Sequence, residues 1–226
     1  MAGSAGLIPC GDCLEGGTIA LAVFLGNPGA EYRGNRHNAG RLLAEALPFF
    51  GALDWRKKYR GLYASIDAAR LRSPGAGRET ESAQPPPCGG KIHLLLPETY
   101  MNLSGDSAAA AAGFFNIKPE QILVVHDELE LALGQGAFKF SGGLGGHNGL
   151  RSLKARLGSA DFWRLRIGIG RPNHDDISGW VLSDFSRQER ERLALVLEEC
   201  SRALIRALLC GPRTLLPEWN KKRIVE

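Results

Sequence analysis

The sequence predicts an α/β fold: a single domain on a mixed, largely parallel twisted sheet flanked by helices. Three observations predict it. Short, almost wholly apolar runs alternate with segments of helical periodicity, the pattern of strands covered on both faces by crossover helices. Clusters of glycine, proline and asparagine follow the apolar runs, where strand ends should fall. The chain has 226 residues, 44% hydrophobic and 23% charged, enough for one sizeable core and too short for more than one large domain.

The first apolar run, Ile19 to Leu25, ends in Gly26-Asn27-Pro28-Gly29 and reads as a buried strand entering a turn. From Ala39 to Phe50, Leu42, Leu43, Ala46 and Leu47 recur at helical spacing, and Asn38 is placed to cap that helix. Gly61 to Leu71 reads as a strand. Residues 72–90 are rich in Ser, Pro, Gly and Glu and hold Pro85-Pro86-Pro87, which predicts an exposed, mobile loop between two strands. Ile92 to Leu96 is the next strand, stopped by Pro97, and Ser107 to Phe115 is an alanine-rich helix. Gln121 to Val125 is a further buried strand, leading into His126-Asp127-Glu128, and Ala137 to Phe140 is short and extended. After the glycine run Ser141 to Gly149 comes a basic amphipathic helix, Leu150 to Leu157. Arg164 to Gly170 alternates, with Leu165, Ile167 and Ile169 on one face and Arg164 and Arg166 on the other. Ser186 is placed to cap a long helix reaching Leu209, and the basic tail beyond Arg213 is expected to be partly ordered.

Composition excludes several classes. Glycine is enriched, at 29 copies, but has no three-residue period, so the chain is not collagen-like. No apolar run approaches the ~18 residues of a membrane span. Thr18 to Leu25 is short and not preceded by Lys or Arg, which argues against a secretory signal. Residues 1–17 read as a flexible N-terminal extension to a domain covering 18–226. Five irregularly spaced cysteines (Cys10, Cys13, Cys88, Cys200 and Cys210) fit free thiols in a reducing cytoplasm better than a disulfide scaffold. The net charge of +4 permits an anionic partner without demanding one.

Ligands of α/β sheets bind outside the carboxyl ends of strands. Three polar clusters fall there: Asn27, Thr99 to Asn102, and Asp127. A histidine near a helix start and an aspartate at a strand end form a base and its orienting partner, which makes His37 and Asp127 a candidate pair. Asn27, Asn38, Asn102 and Asn148 offer neutral donors and acceptors able to hold a water and a carbonyl. The glycine run lets backbone approach a phosphate or sugar, yet it lacks the Lys-Ser/Thr of a P-loop. Lys139 and Arg166, in separate extended segments, together suit a phosphate clamp. No two of the five histidines lie three to five residues apart. A metal cluster of His126, Asp127, Asp175 and Asp176 is conceivable but not singled out by spacing. No G-x-S-x-G elbow is present.

With these residues in hand, the chain resembles the bacterial-type peptidyl-tRNA hydrolase family. The matching stretches are Leu25-Gly26-Asn27-Pro28-Gly29, with Tyr32 and Arg36-His37-Asn38-Ala39-Gly40; Pro97-Glu98-Thr99-Tyr100-Met101-Asn102-Leu103-Ser104-Gly105; His126-Asp127-Glu128-Leu129; Gly145-Gly146-His147-Asn148-Gly149-Leu150; and Phe162-Trp163-Arg164-Leu165-Arg166-Ile167-Gly168-Ile169-Gly170-Arg171-Pro172. They occur in family order and spacing, from Ile19 to the last helix. The resemblance implies a monomeric α/β enzyme of the cytoplasm. Its reaction would be hydrolysis of the ester between a peptide and the 3′ ribose of tRNA, using no metal or other cofactor. It implies that His37 is the catalytic base and Asp127 its partner. Asn27 and Asn102 would hold the substrate end, and Asn148 would position water or the reacting carbonyl. Tyr100 and Met101 would line the peptide groove, with Tyr32 among the substrate-binding residues. Lys139 and Arg166 would clamp the tRNA 5′ phosphate. The chain departs from the family pattern at Asn35, commonly threonine, and in the length of its N-terminal extension and its 72–90 insert. The alternative function is a non-catalytic, splicing-factor-like RNA-binding module on the same fold, against which the intact set Asn27, His37, Asn102, Asp127 and Asn148 argues.

Overall fold

The structure is a computed structural model that describes residues 18–72 and 90–225. The expected N-terminal extension, most of the expected 72–90 loop, and Cys10, Cys13 and Cys88 lie outside those residues.

One eight-stranded sheet organises the molecule. In chain order its strands are β1 (Leu21–Phe24), β2 (Arg56–Lys58), β3 (Gly61–Asp67), β4 (Lys91–Pro97), β5 (Ile122–Glu128), β6 (Gln135–Phe140), β7 (Trp163–Gly168) and β8 (Lys222–Arg223). Across the sheet the order is β2-β3-β4-β1-β5-β7-β6-β8. The central four, β4, β1, β5 and β7, run parallel, and the flanking strands pair antiparallel. The helices are α1 (Ala39–Glu45), α2 (Ala68–Arg72), α3 (Ser104–Phe115), α4 (Asn148–Leu157), α5 (Ile177–Leu182) and α6 (Arg187–Cys210).

Strand alternation splits the core in two. Ala22 and Phe24 of β1 point into a layer with Leu43, Val125, Leu165 and Leu204, under α1 and α6. Leu21 and Val23 point into a second layer with Ala108, Ala111, Val124, Leu150 and Leu153, under α3 and α4. Burial on both faces is why the central strands read as continuous apolar runs. The alanines of α3 bring it close to α4, where the Gly105 amide donates to Ser152 Oγ at 2.9 Å. Helix α6 opens with a reciprocal capping box: the Ser186 hydroxyl accepts from the Glu189 amide and the Glu189 carboxylate accepts from the Ser186 amide.

The structure corrects the sequence reading in several places. Helix α1 stops at Glu45, and Ala46, expected inward, is exposed. Asn38 makes no capping bond to α1, because its amide is engaged elsewhere, as described below. The segment read as a strand to Leu71 turns helical at Ala68, putting Ala68 and Leu71 into the α6 layer. Strand β5 continues through Glu128, so Asp127 lies within the strand rather than after it. Strands β2 and β8 and helix α5 carry no apolar periodicity long enough to read from sequence.

Candidate active site

The carboxyl ends of the parallel strands lie along one edge of the sheet, and the 3₁₀ turn Arg36–Asn38 packs against β5. The approach is close enough to require glycine at position 40. A Cβ there would lie 2.4 Å from the Val125 carbonyl oxygen and 2.7 Å from that of Leu25. All three residues of the turn are buried and polar, and each side chain reaches a different part of the site.

Asn38 reaches back to the β1 turn. Its Oδ1 accepts from the Asn27 amide at 2.8 Å, and its Nδ2 donates to the Asn27 carbonyl at 3.1 Å. Asn27 in turn accepts the Met101 amide on its Oδ1 at 2.7 Å. Two asparagines thereby tie the first turn to the 3₁₀ turn Met101–Leu103, where Met101 is buried and Asn102 exposed.

His37 reaches β5. Its Nδ1 lies 2.9 and 3.0 Å from the two Asp127 oxygens. A carboxylate only accepts, so Nδ1 carries the proton and Nε2 is left as the basic nitrogen. Burial pulls the His37 pKa down, but the charge of Asp127 and its hydrogen bond together outweigh that, so it sits above the ordinary 6.5. Asp127 is itself fully buried. Burial alone would raise its pKa, yet two facing imidazoles and their hydrogen bonds hold it well below the usual carboxylate range.

The second imidazole is His147, which the sequence reading did not choose. It is the N-cap of α4, and its Nδ1 accepts the amides of Gly149 and Leu150 at 3.1 and 3.4 Å. That fixes the tautomer, so Nε2–H donates to Asp127 Oδ1 at 3.0 Å. A histidine filling the cap position next to Asn148, after a glycine run, was the available signal. The Met101 sulfur would lie 2.6 Å from a Cβ at Gly149, so glycine there lets the start of α4 close on the site.

A cavity of about 340 Å³ opens over this relay, and His37, His126, Asp127, Glu128, His147 and Asn148 line it together with one face of α5. His126 is buried, and its Nδ1 lies 2.6 Å from the Asp127 carbonyl oxygen. Burial, then the neighbouring His147, push its pKa well down, which keeps it neutral. Among the described residues the one His/Asp grouping that could ligate a metal is His37, Asp127 and His147. Each imidazole nitrogen facing Asp127 already carries a proton donated to it, so a metal would have to displace both protons. The set is built as a hydrogen-bond relay. Asp175 and Asp176 take no part in that grouping; Asp176 instead caps α5 through the Gly179 amide.

The β6–β7 side differs from expectation. Lys139 stands opposite Arg164, and Ala137 opposite Arg166, all on one sheet face. Arg164, on the strand face opposite the apolar one as expected, is nonetheless 2% exposed because the glycine loop covers it. It donates to the carbonyls of Gly143, at 2.8 Å, and Ser141, anchoring a loop that bends through positive φ at Ser141, Gly142, Gly145 and Gly146. Arg166 Nε donates to Glu128 at 2.8 Å, while Lys139 is exposed and makes no ion pair among the described residues. Tyr100, 58% exposed, meets Tyr32 edge-on at 6.4 Å.

Known proteins place the chain. The profile of the family described as Peptidyl-tRNA hydrolase matches residues 21–225. The chain is 46% identical over 213 residues to the peptidyl-tRNA hydrolase of Treponema pallidum, covering 92% of this chain and 97% of that one. It is 46% identical over 189 residues to that of Marinobacter nauticus, covering 82% and 87%. Two solved structures share the fold. One is a peptidyl-tRNA hydrolase in complex with N-propanol, at a TM-score of 0.75 and 32% identity over 90% of this chain and 96% of that one. The other is the Acinetobacter baumannii enzyme, at 0.71 and 33% over 88% and 91%. The chain belongs to the peptidyl-tRNA hydrolase family.

Proposed function

We propose that this chain hydrolyses the ester between the peptide and the 3′ ribose of peptidyl-tRNA, with His37 as general base. The observation that carries the reading is the His37–Asp127 contact, which leaves His37 Nε2 basic at the cavity. Asp127 holds the tautomer and stabilises the imidazolium formed when Nε2 takes a proton from water. The resulting hydroxide adds to the ester carbonyl. Amides of Asn27, Asn102 and Asn148 serve the substrate end, the water and the developing oxyanion. Collapse expels the ribose 3′ oxygen, which takes the proton from His37, and the base is restored. A ribose ester is activated enough that general-base catalysis, supplying ~10²–10⁴-fold, and an oxyanion donor, supplying ~10²–10³-fold, suffice without a metal.

The outer residues bind. Tyr32, Tyr100 and Met101 form the peptide side; Lys139 and the terminal nitrogens of Arg166 grip the tRNA 5′ phosphate. We take the enzyme to act as a monomer, as the family resemblance implies, and translation supplies the substrate in the cytoplasm. Among the described residues no helix is long and apolar enough to cross a membrane.

The deciding assay offers an N-blocked aminoacyl-tRNA and a free-amine aminoacyl-tRNA with a chelator present. Cleavage of the blocked ester alone is the expected result. Cleavage lost to the chelator would bring back a metal mechanism, and binding without cleavage would favour the RNA-binding module.

A further inference from the structure

The third member of the His37 turn, Arg36, has no part in the mechanism above, yet it is 4% exposed and heavily bonded. Its Nη2 donates to both carboxylate oxygens of Glu189 at 2.8 and 2.7 Å. Its Nη1 donates to Ser183 Oγ at 2.8 Å and to the Asp184 carbonyl at 2.5 Å. The guanidinium lies 3.8 Å above the Trp180 ring and 5.1 Å from that of Phe185. Every one of these partners lies in α5 or in the stretch that follows it into the capping box of α6.

Helix α5 is weakly held without this contact. It is six residues long and buries none of them completely, although Ile177, Ser178 and Val181 form one wall of the cavity. Its other ties are the Trp180 indole N–H to the Gly170 carbonyl at 2.9 Å, the Asp176 cap, the Ser183 hydroxyl to the Trp180 carbonyl at 2.7 Å, the packing of Trp180 and Val181 on the core, and the Arg36 amide to the Ser183 carbonyl at 3.0 Å just beyond the helix. The turn carrying His37 has independent anchors, since His37 is fixed by Asp127 and Asn38 by Asn27. Loss of the Arg36 fork therefore frees the wall before it frees the base. We propose that Arg36 is a positioning residue: by stacking under Trp180 and bridging to Glu189, it locks α5 against the catalytic turn, so that the cavity wall and the base keep a fixed separation.

Arg36→Lys keeps the charge but cannot both stack on an indole and fork across a carboxylate. Trp180→Leu removes the stacking face from the other side. The proposal rests on the hydrolase reading only for its kinetic arm; hydrogen exchange tests it without any activity. Amides of residues 175–183 should exchange at least about tenfold faster in either variant, with those of 37–45 unchanged. With N-blocked aminoacyl-tRNA, KM should rise about tenfold while kcat stays within about threefold. The acid limb of the pH profile should not move, because Asp127 sets the His37 pKa. The double variant should be no worse than the poorer single one. Unchanged exchange in 175–183 would overturn the proposal, as would a kcat loss that tracks the fall in Tm at constant KM. If Arg36→Lys does not fold, Trp180→Leu carries the same readouts.

Discussion

The two halves of the site are built in opposite ways. Around His37, most polar groups are buried and committed: Asp127 takes two imidazole N–H groups, the Asn38 amide pairs with the Asn27 backbone, and His147 spends both nitrogens, while His37 Nε2 stays free among the described residues. Toward the rims, Tyr100 and Lys139 are exposed, Asn102 stands on the surface of its turn, and the glycine loop is tied down by Arg164. The difference follows from what each half must do. A base works only in one tautomer and one orientation, so its partners are fixed before substrate arrives. A contact with substrate must stay available, as the exposed Tyr100, Asn102 and Lys139 are.

The largest effect should come from the buried half. His37→Ala should lower kcat by about 10³-fold or more with tRNA affinity nearly intact; near-normal turnover in single-turnover assays would break the contrast. Asp127→Asn should cost about 10²–10⁴-fold in kcat, since the wrong tautomer can be held, and it should also move the pH profile. The base must be neutral to act, so activity rises with pH through the His37 pKa, which the Asp127 charge now holds above 6.5. Without that charge, burial dominates and the acid limb should shift to lower pH; a shift upward would contradict the assignment.

A sharper comparison sets two asparagines side by side. The Asn27 side chain holds the Met101 amide and is also proposed to serve the substrate end, so Asn27→Ala should lower both activity and stability, the latter by about 1–3 kcal/mol from the unpaired buried amide. Asn102→Ala should lower activity with Tm nearly unchanged. Equal losses of Tm in the two variants would erase the distinction between buried and rim amides.

The smallest effects belong to the rim. Lys139→Ala and Arg166→Ala should each raise KM several-fold and reduce the salt slope of tRNA binding by about one. They should differ in one respect: Arg166→Ala also strands Glu128, which faces the cavity, whereas Lys139→Ala strands nothing. Identical salt profiles with no KM change would remove both from the phosphate clamp.

The sheet's centre and its polar strand ends were readable because burial on both faces leaves continuous apolar runs, and because Asn27 and Asp127 follow or end such runs. Strand β2, three exposed residues, and β8, two residues, left no such trace. The periodicity from Ala39 to Phe50 overstates helix α1, since Leu47 enters the core from the loop after the helix rather than from the helix itself. Asn38 was read as a cap because asparagine commonly plays that role, and only the proximity of Asn27 gives its amide a better pair of partners.

By itself, the sequence determined the α/β class and singled out His37, Asp127 and the asparagines as candidates, since these depend on residue type and on position relative to apolar runs; their roles came from the resemblance of the motifs. Only the tertiary structure decided that His147 shares Asp127, that Arg164 is sealed under the glycine loop, and that Arg36 joins the turn carrying His37 to α5. Those are contacts between segments far apart in the chain. A histidine or arginine carries no mark of which distant carboxylate, carbonyl or ring will face it; that choice is made when the sheet and helices pack and bury the charge beside its partner.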